Sequence, residues 1–282
     1  MNLHSQVHRI RKMAETLGVS ASGYYAWLQR GESQRETANK GLTEKIKKIF
    51  NGSHGTYGSR RIRKELQKKY GERIARSRIL KLMEESSLVP KARKKYKATT
   101  NSKHNLPVAE NLLNREFDAT RPNQKLVSDI TYIPTDEGWL YLASIMDLYG
   151  NKIVGVSMDS RMTKELVINA LKDKVNRFGK ADGCILHSDR GSQYCSHEYQ
   201  RLLQSHGFVC SMSRKGNCWD NAPMESFWGK LKQEWLNDRR FKTREEAKAA
   251  VFEYIWIFYN RQRIHSANDY LTPEEYYDRV AA

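Results

Sequence analysis

The chain has 282 residues, a formal net charge of +17 and a hydrophobic content of 39%. These values suit one medium-sized domain with smaller accessory modules. Because the sequence has neither a long apolar run nor the apolar segment of a secretory signal near its start, it predicts a cytoplasmic protein without membrane spans.

The positive charge is concentrated in the first two-fifths of the chain. Residues 1–120 hold 26 basic and 11 acidic side chains, a net charge of +15. Residues 121–282 hold 23 and 21, a net charge of +2. This asymmetry predicts an arm that binds nucleic acid, attached to a nearly neutral domain, and it predicts association with the nucleoid when DNA is bound. The alternative is a basic surface that is only solvated.

The four cysteines show no CxxC spacing, so they are expected to be reduced and mostly buried rather than zinc ligands. They are Cys184, Cys195, Cys210 and Cys218.

Two short helices are predicted within residues 1–40. Ile10, Met13 and Leu17 recur at helical spacing, and Ser20 is a candidate N-cap for a second helix. The pair is typical of a helix–turn–helix, which could be either a DNA reader or a packing unit.

Residues 41–89 predict a second, basic helical module. Its apolar positions again recur at helical spacing, and a helix is expected to begin at about Ser59. Basic side chains crowd the start of that helix, which favours contact with DNA phosphates over a merely solvated face. They are Arg60, Arg61, Arg63 and Lys64.

Residues 90–122 are expected to form a basic linker that is partly disordered until DNA is bound. Pro90 ends the preceding helix, and the segment KARKKYK follows it. Arg93, Lys94 and Lys95 in that segment are further candidates for DNA contact.

Residues 123–282 have the pattern of an α/β domain. The elements predicted in order are three strands in an antiparallel meander, a helix, a strand, a helix, a strand and a helix, giving a mixed five-stranded sheet with helices on its faces. The predicted strands are 125–133, 139–149, 152–158, 183–189 and 208–213, and the first two helices are 163–179 and 196–207.

Three acids occupy positions at which this fold places chemistry. Asp129 lies inside the first strand, where a charged side chain needs a partner or a metal. Asp189 follows an apolar strand at its carboxyl end, and Glu225 lies on the helix after the fifth strand. Their spacing alone is weak evidence, but their positions in the fold make the set specific.

Four motifs resemble the catalytic domain of bacterial insertion-sequence transposases of the IS3 family, in particular the second-frame (OrfB-type) product. They are SDITYI, HSDRGSQY, GNCWDNAPMESFWGKLK and YNRQRIHSANDYLTPEEYY. The resemblance extends over nearly the whole chain and includes the SHGTYGSRRI segment. Leu126 departs from it, since such proteins often have Trp before the first acid. The resemblance implies a ribonuclease-H-like fold and membership of the DDE superfamily, which includes the retroviral integrases.

The resemblance also implies a mechanism and partners. Asp129, Asp189 and Glu225 would hold two Mg²⁺ ions, or Mn²⁺ as a substitute, for phosphoryl transfer on double-stranded DNA. The partners would be the terminal inverted repeats, target DNA, further copies of the chain on DNA and the product of an upstream frame. A nuclease without strand transfer, or a DNA-binding regulator without catalysis, remains the alternative.

Several neighbouring residues receive narrower predictions. Lys232 lies two helical turns after Glu225 and, with Asn217, is expected to contact DNA. Asp220 or Asn221 is expected to cap the helix that carries Glu225, with Pro223 in its first turn. The remaining predictions are a core role for Met224, Trp228, Leu231 and Trp235, turn or cap roles for Asp147 and Asp159, and helix packing or DNA-backbone contact for Arg263 and His265.

Overall fold

The structure is a computed structural model that describes residues 1–91, 107–214 and 217–279. The chain begins with two short helices, α1 (Ile10–Thr16) and α2 (Ala21–Gln29). The Ser20 hydroxyl accepts a hydrogen bond of 2.9 Å from the backbone N–H of Gly23, which confirms that Ser20 caps the second helix. Most large apolar side chains of this hairpin are exposed.

A three-helix module follows, made of α3 (Gln34–Gly52), α4 (Ser59–Tyr70) and α5 (Arg76–Glu85). Helix α3 begins with a capping box between Ser33 and Glu36 and runs across residue 40, the boundary expected from sequence. The apolar faces of the three helices form one core, and Ile264 from the far end of the chain is buried in it. The module is therefore packed against the C-terminal part of the protein.

The central sheet has five strands in the order β3-β2-β1-β4-β5. Strands β1 to β3 form the predicted antiparallel meander, and β4 and β5 extend the sheet from β1 in parallel. The predicted mixed sheet is thus confirmed. The strands are β1 (Lys125–Thr135), β2 (Gly138–Asp147), β3 (Lys152–Asp159), β4 (Ile185–Ser188) and β5 (Val209–Met212).

Helices cover both faces of the sheet, each over a separate core. Helices α6 (Lys164–Phe178) and α7 (His197–Ser205) cover one face. Helices α8 (Ala222–Leu231) and α9 (Arg244–Phe252) cover the other. Each of these two helices continues without a break into a π-helical segment, Lys232–Leu236 after α8 and Glu253–Tyr259 after α9. A short helix, α10 (Pro273–Asp278), ends the described chain.

The linker expected from sequence, residues 90–122, is divided by the structure. Arg93, Lys94 and Lys95 lie outside the described residues. Residues 107–122 pack on the catalytic domain: Leu113 is buried in the core beneath α8 and α9, and the Ser211 hydroxyl accepts hydrogen bonds of 2.9 and 3.2 Å from the backbone N–H groups of Leu112 and Leu113. This segment is part of the α/β domain, because its backbone and its apolar side chains are both engaged there.

Cys184, Cys195 and Cys210 are free thiols, the first two buried and the third half-buried. Burial raises the pKa of Cys184 to about 12 and that of Cys195 to about 11, so both remain protonated at neutral pH. The side chain of Cys218 lies outside the described part. Within the described residues, no helix is both long and apolar enough to cross a bilayer.

Candidate active site

Two of the three acids come from neighbouring parallel strands. Strands β1 and β4 pair with Val127 opposite His187. Continued by two residues, this register brings Asp129 level with Asp189, which directly follows the end of β4. The strands that carry these two acids are therefore neighbours in the sheet.

Glu225 reaches the same region from helix α8, where it lies in the first turn beside Pro223. The helix contacts β1, and its apolar stripe is buried in the core as predicted. The stripe consists of Met224, Trp228, Leu231 and Trp235.

Trp228 has a second role that the sequence did not indicate. Its indole Nε1 donates a hydrogen bond of 2.9 Å to Oδ2 of Asp129. Because Trp228 lies one turn after Glu225, the same helical face that carries the third acid also fixes the orientation of the first. The i, i+3 spacing was the available signal, and the apolar character of the stripe concealed it.

The three acids interact electrostatically. Burial and the nearby charge of Asp189, with a smaller contribution from Glu225, raise the pKa of Asp129 to about 7, although the Trp228 hydrogen bond opposes this shift. Burial also raises the pKa of Glu225. The site therefore concentrates negative charge in a partly desolvated place.

The side chains do not form a preassembled metal cage. Across residues 1–91, 107–214 and 217–279, no group of three or more His, Cys, Asp or Glu side chains is arranged to hold a metal ion. Oδ1 of Asp189 accepts a hydrogen bond of 2.9 Å from the backbone N–H of Gly191. Any ion must therefore take further ligands from water or substrate.

Lys232 opens the π-helical segment that continues α8. Its ammonium Nζ lies 5.1 Å from the centroid of the Tyr132 ring. Burial lowers the pKa of Lys232, and the negative charge of Asp129 partly opposes that effect. Lys232 is therefore a half-buried cation within electrostatic range of the first acid.

The start of α8 differs from the sequence prediction. Neither Asp220 nor Asn221 donates or accepts a capping hydrogen bond there. Asn217 instead caps the preceding 3₁₀ turn (Cys218–Asn221), where its side-chain oxygen accepts a hydrogen bond of 3.2 Å from the backbone N–H of Trp219. The side-chain amide of Asn221 donates a hydrogen bond of 3.0 Å to the carbonyl of Ser128, next to Asp129. Asp220 is committed to tertiary partners instead, whereas Oδ1 of Asn221 accepts no hydrogen bond among the described residues.

Asp220 is fully buried and accepts hydrogen bonds from two arginines. Arg214 donates from its backbone N–H at 2.9 Å and from its guanidinium at 3.0 and 2.9 Å. Arg115 donates at 2.8 Å and Asn111 at 3.1 Å. These hydrogen bonds hold the pKa of Asp220 below its usual range, and the guanidinium of Arg214 makes the largest contribution. Asp220 therefore ties the end of β5, the 107–122 segment and the approach to α8 together.

The basic residues at the start of α4 are not equivalent. Arg60, Arg63 and Lys64 are exposed, and Lys64 also lies 5.0 Å from the Tyr270 ring centroid. Arg61 is half-buried, with its guanidinium 5.4 Å from the Tyr57 ring centroid. Arg61 thus faces the junction with the catalytic domain.

The two alternatives for Arg263 and His265 are decided by burial. Both side chains are buried, and Arg263 is ion-paired with Glu234 at 2.6 Å, so helix packing is their role. Asp147 accepts from the backbone N–H groups of Asn123 and Tyr149. Asp159 accepts from that of Arg161. The predicted turn roles of these two acids are confirmed.

The sheet order, with an acid in the first strand, another after the fourth and a third on the helix after the fifth, defines a protein with an integrase-type catalytic core. Family models described as an integrase core domain match residues 119–218 and 225–280. A model described as an HTH-like domain matches residues 37–96.

Two relatives from insertion sequences show the family to which the chain belongs. The chain is 39% identical over 281 residues to the transposase InsF of insertion sequence IS3A from Escherichia coli K12, covering 99% of this chain and 97% of that protein. It is 49% identical over 273 residues to an uncharacterized 31 kDa protein of insertion element IS600 from Shigella sonnei, covering 96% and 100%. The chain belongs to the IS3 family of insertion-sequence transposases and is a DNA transposase.

Among solved structures, the HTLV-2 integrase catalytic core domain in complex with magnesium matches with a TM-score of 0.43 and 18% identity. The match covers 56% of this chain and 98% of that one.

Proposed function

We propose that this transposase cleaves the ends of its insertion sequence and joins them to target DNA by metal-assisted phosphoryl transfer, with Asp129, Asp189 and Glu225 as the metal ligands. The observation that carries the proposal is the convergence of three acids: Asp129 and Asp189 are level on the paired strands β1 and β4, and Glu225 is in the first turn of α8, which contacts β1. Burial, with the two further carboxylates, raises the pKa of Asp129, and a divalent cation is the partner that stabilises such a cluster.

The donor set suits two Mg²⁺ ions, with Mn²⁺ as a substitute. Mg²⁺ prefers carboxylate oxygens, retains several waters and is completed by substrate phosphates, so it does not require an all-protein cage. This preference agrees with three acids that interact with one another but do not enclose an ion site by themselves. When bound, a pair of such ions activates the attacking oxygen and stabilises the leaving oxygen.

The protein's own groups supply position and charge. Trp228 donates a hydrogen bond to Oδ2 of Asp129 and so fixes the orientation in which this carboxylate would meet an ion. Lys232, within range of Asp129, would bind a phosphate beside the scissile bond. The nucleophile would be water in cleavage and a DNA 3′-hydroxyl in joining, so no side chain has to be activated.

DNA would be delivered by the basic N-terminal part. Arg60, Arg63 and Lys64 are exposed at the start of α4, where they can contact phosphates. Asn217 is a further candidate because it lies six residues before Pro223 on the approach to α8. Assembly of several copies on DNA, and cooperation with an upstream-frame product, are part of the proposal.

The test uses the full chain with its upstream-frame product, labelled element ends and Mg²⁺ or Mn²⁺. Asp129→Asn, Asp189→Asn and Glu225→Gln are each expected to lower cleavage and joining on the order of 10³-fold or more, since each removes a metal ligand. Asp118→Asn, an exposed acid on the 107–122 segment, is the matched control.

The results distinguish a transposase from a nuclease and a catalytic defect from a binding defect. Binding of DNA ends should persist in the three variants, which would show that they have lost catalysis and not DNA binding. Undiminished cleavage in any of the three would remove that acid from the metal site. Hydrolysis without joining by the wild-type chain, even with the upstream-frame product present, would identify a nuclease instead.

A further inference from the structure

An exposed aromatic pair lies beside the candidate active site. Tyr132 on β1 and Trp139 on β2 are 40% and 49% exposed, and neither belongs to the two cores of the catalytic domain. Pro134 is opposite Trp139 and Tyr141 is opposite Tyr132, so the two rings are diagonal neighbours on one face of the sheet. Their centroids are 4.9 Å apart at an interplanar angle of 77°.

The pair is near the acids along an open strand edge. Within the described residues, β4 pairs with β1 only as far as Val127, so the following residues of β1 have a strand partner on one side only. Tyr132 is three residues beyond Asp129, about 10 Å along the strand at roughly 3.3 Å per residue, and this odd spacing places the two side chains on opposite faces of β1. A DNA strand that reaches both, over about three nucleotides or more, would therefore pass across the open edge.

One cation lies beside the pair, and others lie on a segment next to the turn that joins the two strands. Lys232 places its ammonium 5.1 Å from the Tyr132 centroid and is also within electrostatic range of Asp129. The segment RRFKTR, residues 239–244, runs beside the β1–β2 turn, where Arg240 is ion-paired with Asp136. Aromatic faces among cations have the chemistry that binds single-stranded nucleic acid, since bases stack on the rings and phosphates meet the charges.

The β1–β2 turn is held rigidly. The backbone N–H of Asp136 donates 3.0 Å to the carbonyl of Phe241. The Arg244 guanidinium donates to the carbonyls of Glu137 and Trp139 at 2.6 and 3.1 Å. A surface fixed before binding loses little conformational entropy when a ligand arrives. The backbone that carries Trp139 is therefore fixed before a base arrives.

We propose that Tyr132 and Trp139 form a stacking platform for an unpaired nucleobase of the DNA strand whose phosphate lies at the acids. The proposal rests on the proposed function for the identity of that strand. It adds a subsite that selects DNA ends with opened base pairs, because a paired base has no free face to offer a ring.

The experiment compares two duplexes with the same number of phosphates, one fully paired and one with three mismatched pairs at the end. Binding of the full chain is measured without divalent metal, and the ratio of the two dissociation constants is the readout. Phosphate contacts of the basic module cancel in this ratio. The wild-type chain is expected to favour the mismatched end.

Trp139→Leu and Tyr132→Leu are each expected to reduce that preference by about fivefold, the lower limit for one stacked base. Trp139→Phe and Tyr132→Phe should retain most of it. Phe252→Leu, which removes a 51% exposed ring on α9, is the matched control and should leave the ratio unchanged. The ratio should also be insensitive to salt, because stacking releases no counterions.

A simple cross-strand packing role for the pair would lower thermal stability without changing the ratio, and an unchanged ratio in folded Leu variants overturns the proposal. Should those variants not fold, wild-type chain photo-cross-linked to 5-iodouracil at the unpaired positions decides the matter. Cross-links at Tyr132 or Trp139 support the platform, and cross-links confined to other residues overturn it. Mg²⁺-dependent cleavage of the same duplexes is measured separately. If the wild-type chain prefers the mismatched end but does not cleave it, only the proposed chemistry is refuted.

Discussion

Arg263 donates through Nε and Nη2 to the two carboxylate oxygens of Glu234, over 2.7 and 2.6 Å, and both side chains are buried. Glu234 lies two residues after Lys232 on the π-helical segment that continues α8. The hydroxyl of Tyr254 also donates to it, at 3.0 Å. The helix that carries Glu225 and Lys232 is therefore fixed at its far end by a buried ion pair.

Breaking this pair should strongly destabilise the fold. Arg263→Met or Glu234→Gln alone leaves a buried charge without its partner, at a cost of about 3–5 kcal/mol in the free energy of unfolding. The double variant should cost less than the sum of the two, which a double-mutant cycle in urea would measure. Lys47→Met, at an exposed ion pair with Glu44, should change stability by about 1 kcal/mol or less. Additive single effects would contradict the pairing.

The same region couples the helical module to the catalytic domain. The Tyr57 hydroxyl donates 3.1 Å to the carbonyl of Gln262 and accepts 2.8 Å from the backbone N–H of Ile264, so it contacts the residues on both sides of Arg263. Tyr57→Phe keeps the ring but leaves the Ile264 N–H unsatisfied, which should cost about 1–3 kcal/mol. Hydrogen exchange should accelerate at Ile264 in this variant. Tyr70→Phe, at a partly exposed ring on α4, is the control and should change neither stability nor exchange.

The acids should limit the stability of the metal-free protein. Because burial and repulsion disfavour the charged form of Asp129, Asp129→Asn is expected to raise the thermal midpoint in EDTA by a few degrees. Mg²⁺ should raise the midpoint of the wild-type chain, since it binds the folded state, and should raise that of the variant less. Asp118→Asn should behave like the wild-type chain. A Mg²⁺ effect of equal size in Asp129→Asn would contradict a role for this acid in metal binding.

Asp147 gives the fold a defined pH dependence. Its burial raises the pKa to about 6, despite the hydrogen bonds from Asn123 and Tyr149. A raised pKa in the folded state means that protonation stabilises the fold, fully below about pH 4, and that this contribution is lost as the pH rises through about 6. The unfolding free energy of the wild-type chain relative to Asp147→Asn should therefore fall by about 2 kcal/mol from about pH 4.5 to about pH 7.5. If the difference in unfolding free energy between the two proteins stays constant from about pH 4.5 to about pH 7.5, the pKa of Asp147 in the folded state is not raised.

The sequence predicted those features that local pattern determines. Alternating apolar residues gave the meander, and the apolar run before Asp189 placed it at a strand end. The pairings of Asp220 with Arg115 and of Arg263 with Glu234 could not be predicted, because these partners are distant in the chain and meet only when the elements pack. Arg214 is only six residues from Asp220, but their contact depends on the path of the chain between them. The Trp228 contact with Asp129 escaped for a related reason, since an apolar stripe does not reveal which edge of an indole meets a carboxylate. The packing of residues 107–122 was hidden by their polar composition.

Asp220 provides a test of how the approach to α8 is held. Its buried carboxylate accepts from Arg214, Arg115 and Asn111, and Asn221 next to it is bonded to the carbonyl that precedes Asp129. Asp220→Asn keeps the shape but removes the charge that both arginines need. Because the pKa of Asp220 is lowered in the folded state, its contribution to stability is present above the unfolded value of about 4 and is lost as the pH falls. The variant should accordingly be less stable than the wild-type chain at pH 7, and the difference should shrink as the pH is lowered below about 4.

The same variant should also affect activity. Because Asp220→Asn holds Glu225 less firmly, cleavage of element ends should fall while their binding persists. Asp118→Asn, at an exposed acid on the 107–122 segment, is the matched control, and equal cleavage by both variants would show that the Asp220 anchor does not position the site.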